Sequence, residues 1–347
     1  MKKQIKWLVL ISFFISLFCF IKVTGYAQTT RFTVTPELPQ NQLSDVSYFD
    51  LLVKDETKQD LTVALHNTSS ETLTIRAAAL NSFTASSGII AYQEEETAEV
   101  NEGISFTTLI SNPSQTVELK PGETRQITFL LSMDKRKFNG EILGVFSFEE
   151  ELTETVDRQE TNLQANYKIQ QGVRLRQRID SLPLPELDLI ETKAKERNGV
   201  ATLMSRIRNN QPTAFGKIAV TTTIREKESN TRVGGFSAEN FQMAPNSILS
   251  LFSEFDQEIL EPGTYTLRIE LTAPKGSWVF DDTIVIDRAV ANQVNQKTML
   301  GAASLKNNVW LWIVGLLLFL VILLLVLLFL WYIRQKKDKG SSDDPIE

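Results

Sequence analysis

Apolar and polar residues alternate in short runs along most of this chain, and the runs recur every 10 to 15 residues. LTVALHN, ETLTIRA, ISFTTLI, GEILGVFSF and NYKIQQGVRLRQRI are examples, separated by Asn, Gly, Pro and Ser. A period of two sends successive side chains to opposite faces of a strand, and turn residues between the runs reverse the chain. The pattern therefore predicts antiparallel β-structure in sandwich form. Between the two ends of the chain no stretch of ten residues holds a helical period. The prolines of SLPLPELDL suit a stiff connector. Beyond it the grammar restarts: ATLMSRIRNNQPTAFGKIAVTTTI echoes LTVALHNTSSETLTIRA, and LEPGTYTLRIEL echoes LKPGETRQITFLL. Two tandem Ig-like sandwiches are expected, residues 28–182 and 191–292, joined by a linker at 183–190. The first is enlarged by an insertion around ASSGIIAYQEEETAEVNEGIS.

The two ends break the pattern. Residues 1–27 carry lysines, then the 14-residue apolar run LVLISFFISLFCFI, then small residues up to Ala27. That order is a cleaved secretory signal. Val309 to Ile333 is 25 residues without a charge, about 37 Å of helix against about 30 Å of hydrocarbon. Trp310 and Trp312 stand at one end, Trp331 and Tyr332 at the other, with Arg334, Lys336, Lys337 and Lys339 just beyond. This is one transmembrane helix whose basic flank faces the cytoplasm. The expected order is therefore an ectodomain outside, a juxtamembrane spacer at 293–308, the span at 309–333 and a cytoplasmic tail at 334–347. No LPxTG-like sorting signal precedes the helix, so the protein is expected to stay in the cell membrane, in a Gram-positive bacterium.

Composition narrows the chemistry. The single cysteine, Cys19, lies in the signal, so disulfides, thiolate nucleophiles and cysteine-ligated metals are excluded from the mature chain. Of 36 basic groups eight lie in the two ends, and of 42 acidic groups four do, so 28 positive charges face 38 negative ones in the ectodomain. A net charge near −10 argues against nucleic acid as a partner. The single histidine, His66, has no G-x-S-x-G elbow to accompany it, and no zinc, calcium or phosphate-binding motif occurs. No catalytic residue, metal or cofactor is expected, and the chain reads as a non-enzyme.

Recognition of a glycan needs aromatic faces. Outside the signal and the span the chain keeps one tryptophan, Trp278, and Tyr48, Tyr92, Tyr167 and Tyr265. Trp278 and Tyr265 sit in strand contexts and are expected in a core. Tyr92 lies in the insertion. In SYFDLLV, alternation places Tyr48 opposite the face of Phe49, Leu51 and Val53. Tyr48 and Tyr92 are thus the candidate ligand contacts, and Arg31 to Val53 is expected to form the first strand pair.

The stretches FTVTPELPQNQLSDVSYFDLLV, GIIAYQ, VELKPGETRQITFLLSM with FNGEILGVFSF, and MAPNSILSLFSEFDQEILEPGTYTLRIELTAPKGSWVFDDTIVI resemble the WxL-interacting proteins of low-GC Gram-positive bacteria. The resemblance implies β-rich, Ig-like domains, a first that binds peptidoglycan and a second that binds host matrix proteins or other surface ligands beside WxL-domain surface proteins. Two other readings compete: a chaperone-like assembly factor using open strand edges, and a cell-wall-modifying enzyme, which lacks a nucleophile or metal set.

Overall fold

The computed structural model describes residues 30–93, 105–151, 167–179, 182–298 and 313–330. The signal, the acidic run after Gln93, most of the spacer and the tail lie outside the described residues. The chain is built on β-strands, as alternation predicts, and buries two separate apolar cores.

The first core is a sandwich. One sheet has the order β1 (Phe32–Pro36), β3 (Lys58–Asn67), β7 (Thr124–Ser132). The facing sheet has the order β2 (Phe49–Leu52), β9 (Lys168–Arg176), β8 (Glu141–Glu150), β4 (Leu73–Thr84), β5 (Ile90–Tyr92), and β6 (Ser114–Leu119) also pairs with β4. The inward halves of the alternation meet between the sheets, where the Phe129 and Phe146 rings stack at 3.9 Å with 8° between their planes. Phe49, Leu51 and Val53 point into this core, as their spacing predicts.

Two expectations for this region are corrected. The segment Arg31 to Val53 does not form a strand pair: β1 joins β3, and β2 crosses to the other sheet and joins β9. The β2–β9 pair is also parallel, in an otherwise antiparallel architecture. Burial explains the crossing, because Phe32 and Phe49 enter the same core from opposite sheets.

The second core lies within one sheet of seven strands: β10 (Leu187–Arg197), β11 (Val200–Asn209), β14 (Ile248–Phe255), β13 (Arg232–Met243), β12 (Phe215–Glu226), β15 (Gly263–Ala273) and β16 (Gly276–Ile286). The sheet folds around its own core, and β13 links its halves by pairing with β12 along its length and with β14 at Gly234 and Gly235. A side chain at 234 would come within 2.3 Å of the Glu254 carbonyl oxygen, so only glycine permits this approach. Tyr265 is buried in this core and donates its hydroxyl to the Glu261 carbonyl, and Trp278 packs half-buried against Phe215. Helix α1 (Arg288–Asn295) follows β16; Asp287 caps it by accepting from the Val290 N–H. At eight residues it is too short to leave a helical period in the sequence. It seats Ala291 and Val294 in the core, and Asn295 exchanges two hydrogen bonds with the backbone of Leu260.

The two cores repeat one plan. Seven strands of the first (β1, β3, β4, β6, β7, β8, β9) correspond in chain order and in pairing to β10 through β16. Each repeat turns on a buried asparagine. The side-chain amide of Asn67 donates to the Glu71 and Leu119 carbonyls, and that of Asn209 to the Thr213 and Ala244 carbonyls. In the first core β2 and β5 are additions to the plan. A second helix, α2 (Ile313–Leu330), is exposed along its length, with mean hydropathy 3.6, and is long and apolar enough to cross a membrane.

Candidate functional site

Glu141 opens β8 and is 2% exposed. Its carboxylate accepts from Arg174 Nε at 2.6 Å and from the Ala214 N–H at 2.7 Å, and its own N–H donates to the Pro212 carbonyl at 2.8 Å. Arg174 belongs to β9 of the first core, whereas Pro212 and Ala214 belong to the second. One buried carboxylate therefore clamps the two together. The backbones come so close that a side chain at position 140 would meet the Pro212 oxygen at 2.2 Å, and Gly140 also holds φ at +142°, where only glycine is comfortable.

A second clamp lies at the tip of the β4–β5 hairpin. The Thr84 and Ser247 hydroxyls, both buried, are 2.5 Å apart, and Thr84 Oγ1 also accepts from the Ala244 N–H. The Gly88 carbonyl accepts from the Gln242 N–H at 2.7 Å.

Beside Glu141 the junction opens into a cavity of about 410 Å³. Tyr48 and Tyr92, the two tyrosines expected to meet a ligand, both line it. Different elements deliver them. Tyr48 precedes β2 and lies over Gly172 of β9, whose missing side chain leaves room for the ring. Tyr92 ends β5 and packs on the small apolar cluster of Ala78, Leu80 and Val145. Burial raises the Tyr92 hydroxyl above the ordinary tyrosine value, and the negative charge of Glu141 and then Tyr48 raise it further.

Cations complete the cavity. Arg174 spends only its Nε on Glu141, and Lys275, from the turn between β15 and β16, has no carboxylate within ion-pair distance among the described residues. Sequence reasoning missed Glu141, Arg174 and Lys275, since they lie in separate runs and carry no spacing that joins them. Two half-buried rings, a fixed carboxylate and two cations thus face one cavity, groups whose chemistry suits an uncharged ring face next to an anionic group.

Elsewhere His66 shares a hydrogen bond of 2.9 Å with Thr124 across β3 and β7. Asp281, of the sequence FDD, is engaged by Arg268. Among the described residues no cluster of three or more His, Cys, Asp or Glu is arranged to hold a metal ion.

Three solved structures are distant likenesses. A chaperone–tip adhesin complex of CFA/I fimbriae matches at 12% identity over 72% of this chain and 97% of that one, with a TM-score of 0.31. The CupB2 chaperone of Pseudomonas aeruginosa matches at 11% identity over 65% and 93%, with a TM-score of 0.24. Red sea bream transglutaminase matches at 10% identity over 75% and 32%, with a TM-score of 0.23. No curated protein matches. Family comparison is specific: residues 32–150 match the peptidoglycan-binding domain of WxL-interacting proteins, and residues 158–296 match the host-binding domain. Both matches are to binding domains; the first lies within the first core, the second spans β9 of the first core together with the whole second core, and the chain belongs to the WxL-interacting protein family.

Proposed function

We propose that this protein is a membrane-anchored surface tether. Its first domain (28–182) engages peptidoglycan, and its second (191–292) engages WxL-domain surface proteins or host matrix proteins. Helix α2 holds the chain in the cell membrane with the two cores outside and the basic flank inside. The observation that carries the first part is the convergence of Tyr48 and Tyr92 on one cavity beside Arg174 and Lys275. Tyrosine rings pack on the apolar faces of sugars, and the cations suit the carboxylates of the peptides attached to a wall glycan.

Sedimentation of the purified full-length protein with isolated sacculi tests this reading, with melting measured alongside. Tyr48→Ala and Tyr92→Ala are each expected to lower the sedimented fraction by fivefold or more while melting changes little. If both variants sediment as the native chain does, the cavity is not the wall site. If both melt early without a separate loss of binding, the rings serve packing alone.

A further inference from the structure

Matching the two repeats strand for strand exposes a difference at one edge. In the first core the last four residues of β9 are covered by β2, in parallel register from Phe49 opposite Val173 to Leu52 opposite Arg176. β2 sends Phe49 and Leu51 into the core. The counterpart of β9 in the second core is β16, and among the described residues no strand lies on its outer edge. At the corresponding place, beside Ile284 to Ile286, a groove of about 620 Å³ opens between β16, β10 and α1. It borders the strand end that corresponds to the one β2 covers in the first repeat, with α1 on its other side.

The groove has the surfaces a strand needs. β16 presents an open edge, and Val285 on it is 74% exposed. Val290 and Val294 of α1 form an apolar floor. On the walls Lys195 and Lys297 have no carboxylate within ion-pair distance among the described residues, while Lys193 is paired with Glu191 and the one acidic lining residue, Glu196, accepts from the Gly199 N–H. The ectodomain as a whole is acidic, so this is a local inversion of charge.

We propose that this groove docks an extended segment of a surface partner protein, alternately apolar and acidic, which adds to β16 as β2 adds to β9. Main-chain hydrogen bonds along the edge supply affinity. Alternate apolar side chains enter between β16 and α1, and the acidic ones meet Lys195 and Lys297. The proposal rests on reading the second domain as the one that binds partner proteins.

The probe is a synthetic nonapeptide alternating valine or leucine with aspartate, fluorescently labelled and titrated into the full-length protein in detergent micelles. Its control carries two central prolines, which remove N–H donors and cannot extend a ladder. The alternating peptide is expected to bind at least tenfold more tightly than the control and to slow hydrogen exchange in β16. Val285→Glu and the double variant Lys195→Glu, Lys297→Glu should each weaken it tenfold or more. Val279→Glu, exposed on the same strand but outside the groove, should leave it unchanged. Equal binding of the proline control, or full binding by Val285→Glu, overturns the proposal. So does self-association of the full chain that Val285→Glu abolishes, since a second copy would then be the occupant. Sacculus sedimentation of Val285→Glu is expected to match the native chain. A native chain that sediments with sacculi but binds the alternating peptide no better than the proline control would sink this inference and leave the wall reading standing.

Discussion

Glu141→Gln keeps the size of the side chain at the junction and removes its charge. Because the negative charge of Glu141 is one of the causes that raise Tyr92, the variant should lower the titration midpoint of that hydroxyl. Burial is the larger cause, so the midpoint should stay above the ordinary tyrosine value of about 10. Tyrosine absorbance or NMR titration of the two proteins checks both parts, and an unchanged midpoint would remove Glu141 from the electrostatics of the cavity. Asp50 makes a different demand. It is 2% exposed and accepts from Arg176 Nη2 through both oxygens, at 2.9 Å each. Asp50→Ala leaves the partly buried Arg176 without its anion, a loss of about 2–4 kcal/mol that urea denaturation would measure, somewhat below that of a fully buried pair. Alternation in SYFDLLV placed Asp50 on the face opposite the core, and that is where it lies. Nothing in the alternation shows that Arg176, 126 positions away, comes to cover it.

The repeated strands were legible because each carries its own period of two and its own turn residues. Asn67 and Asn209 were visible as the ends of echoing strands, and the structure shows why both ends are asparagine: each ties three backbone segments together from a buried position. Asn67→Ala and Asn209→Ala should each cost about 1–3 kcal/mol for every carbonyl or N–H left without a partner. Thermal or urea unfolding tests this, and a change within 0.5 kcal/mol, roughly the level of an ordinary surface substitution, would contradict it. The echo between LKPGETRQITFLL and LEPGTYTLRIEL pairs the wrong elements. The first leads into β7, whose counterpart is β14, reached through the turn at Ala244 to Ser247; the second leads into β15, the counterpart of β8. Pro-Gly announces a turn but carries no information about which strand comes next to which. The parallel docking of β2 was illegible for the same reason. Its partner lies more than a hundred residues away, and four residues hold too little pattern to choose one.

At the scale of the whole chain the apolar helix near the C-terminus was the most readable part, since a charge-free run of membrane length needs no tertiary context. The cavity was the least readable, being assembled from both cores. A fragment of residues 28–182 keeps Tyr48, Tyr92, Glu141 and Arg174 but loses Lys275 and the Ala214 N–H. It should sediment with sacculi several-fold less than the full chain, even where circular dichroism shows it folded. Equal sedimentation would mean that the second core contributes nothing to the wall site. The position of Lys275 has a mechanical side. It lies in the turn that starts β16, at the cavity, and β16 runs from there for 11 residues to α1, on the way to the apolar helix. A load carried from wall ligand to membrane would enter and leave near opposite ends of this strand, about 36 Å apart. Pulled lengthwise, β16 carries the tension along its own extended backbone, which has little slack to give, and the antiparallel ladder from Gly263 opposite Ile286 to Ala273 opposite Gly276 stays closed. Pulled sideways, the same bonds would open one after another, like a zip. Single-molecule stretching between residue 275 and the C-terminus should therefore need a higher force than stretching across the strands, and a chain held between wall and membrane as proposed would be loaded along that stronger axis.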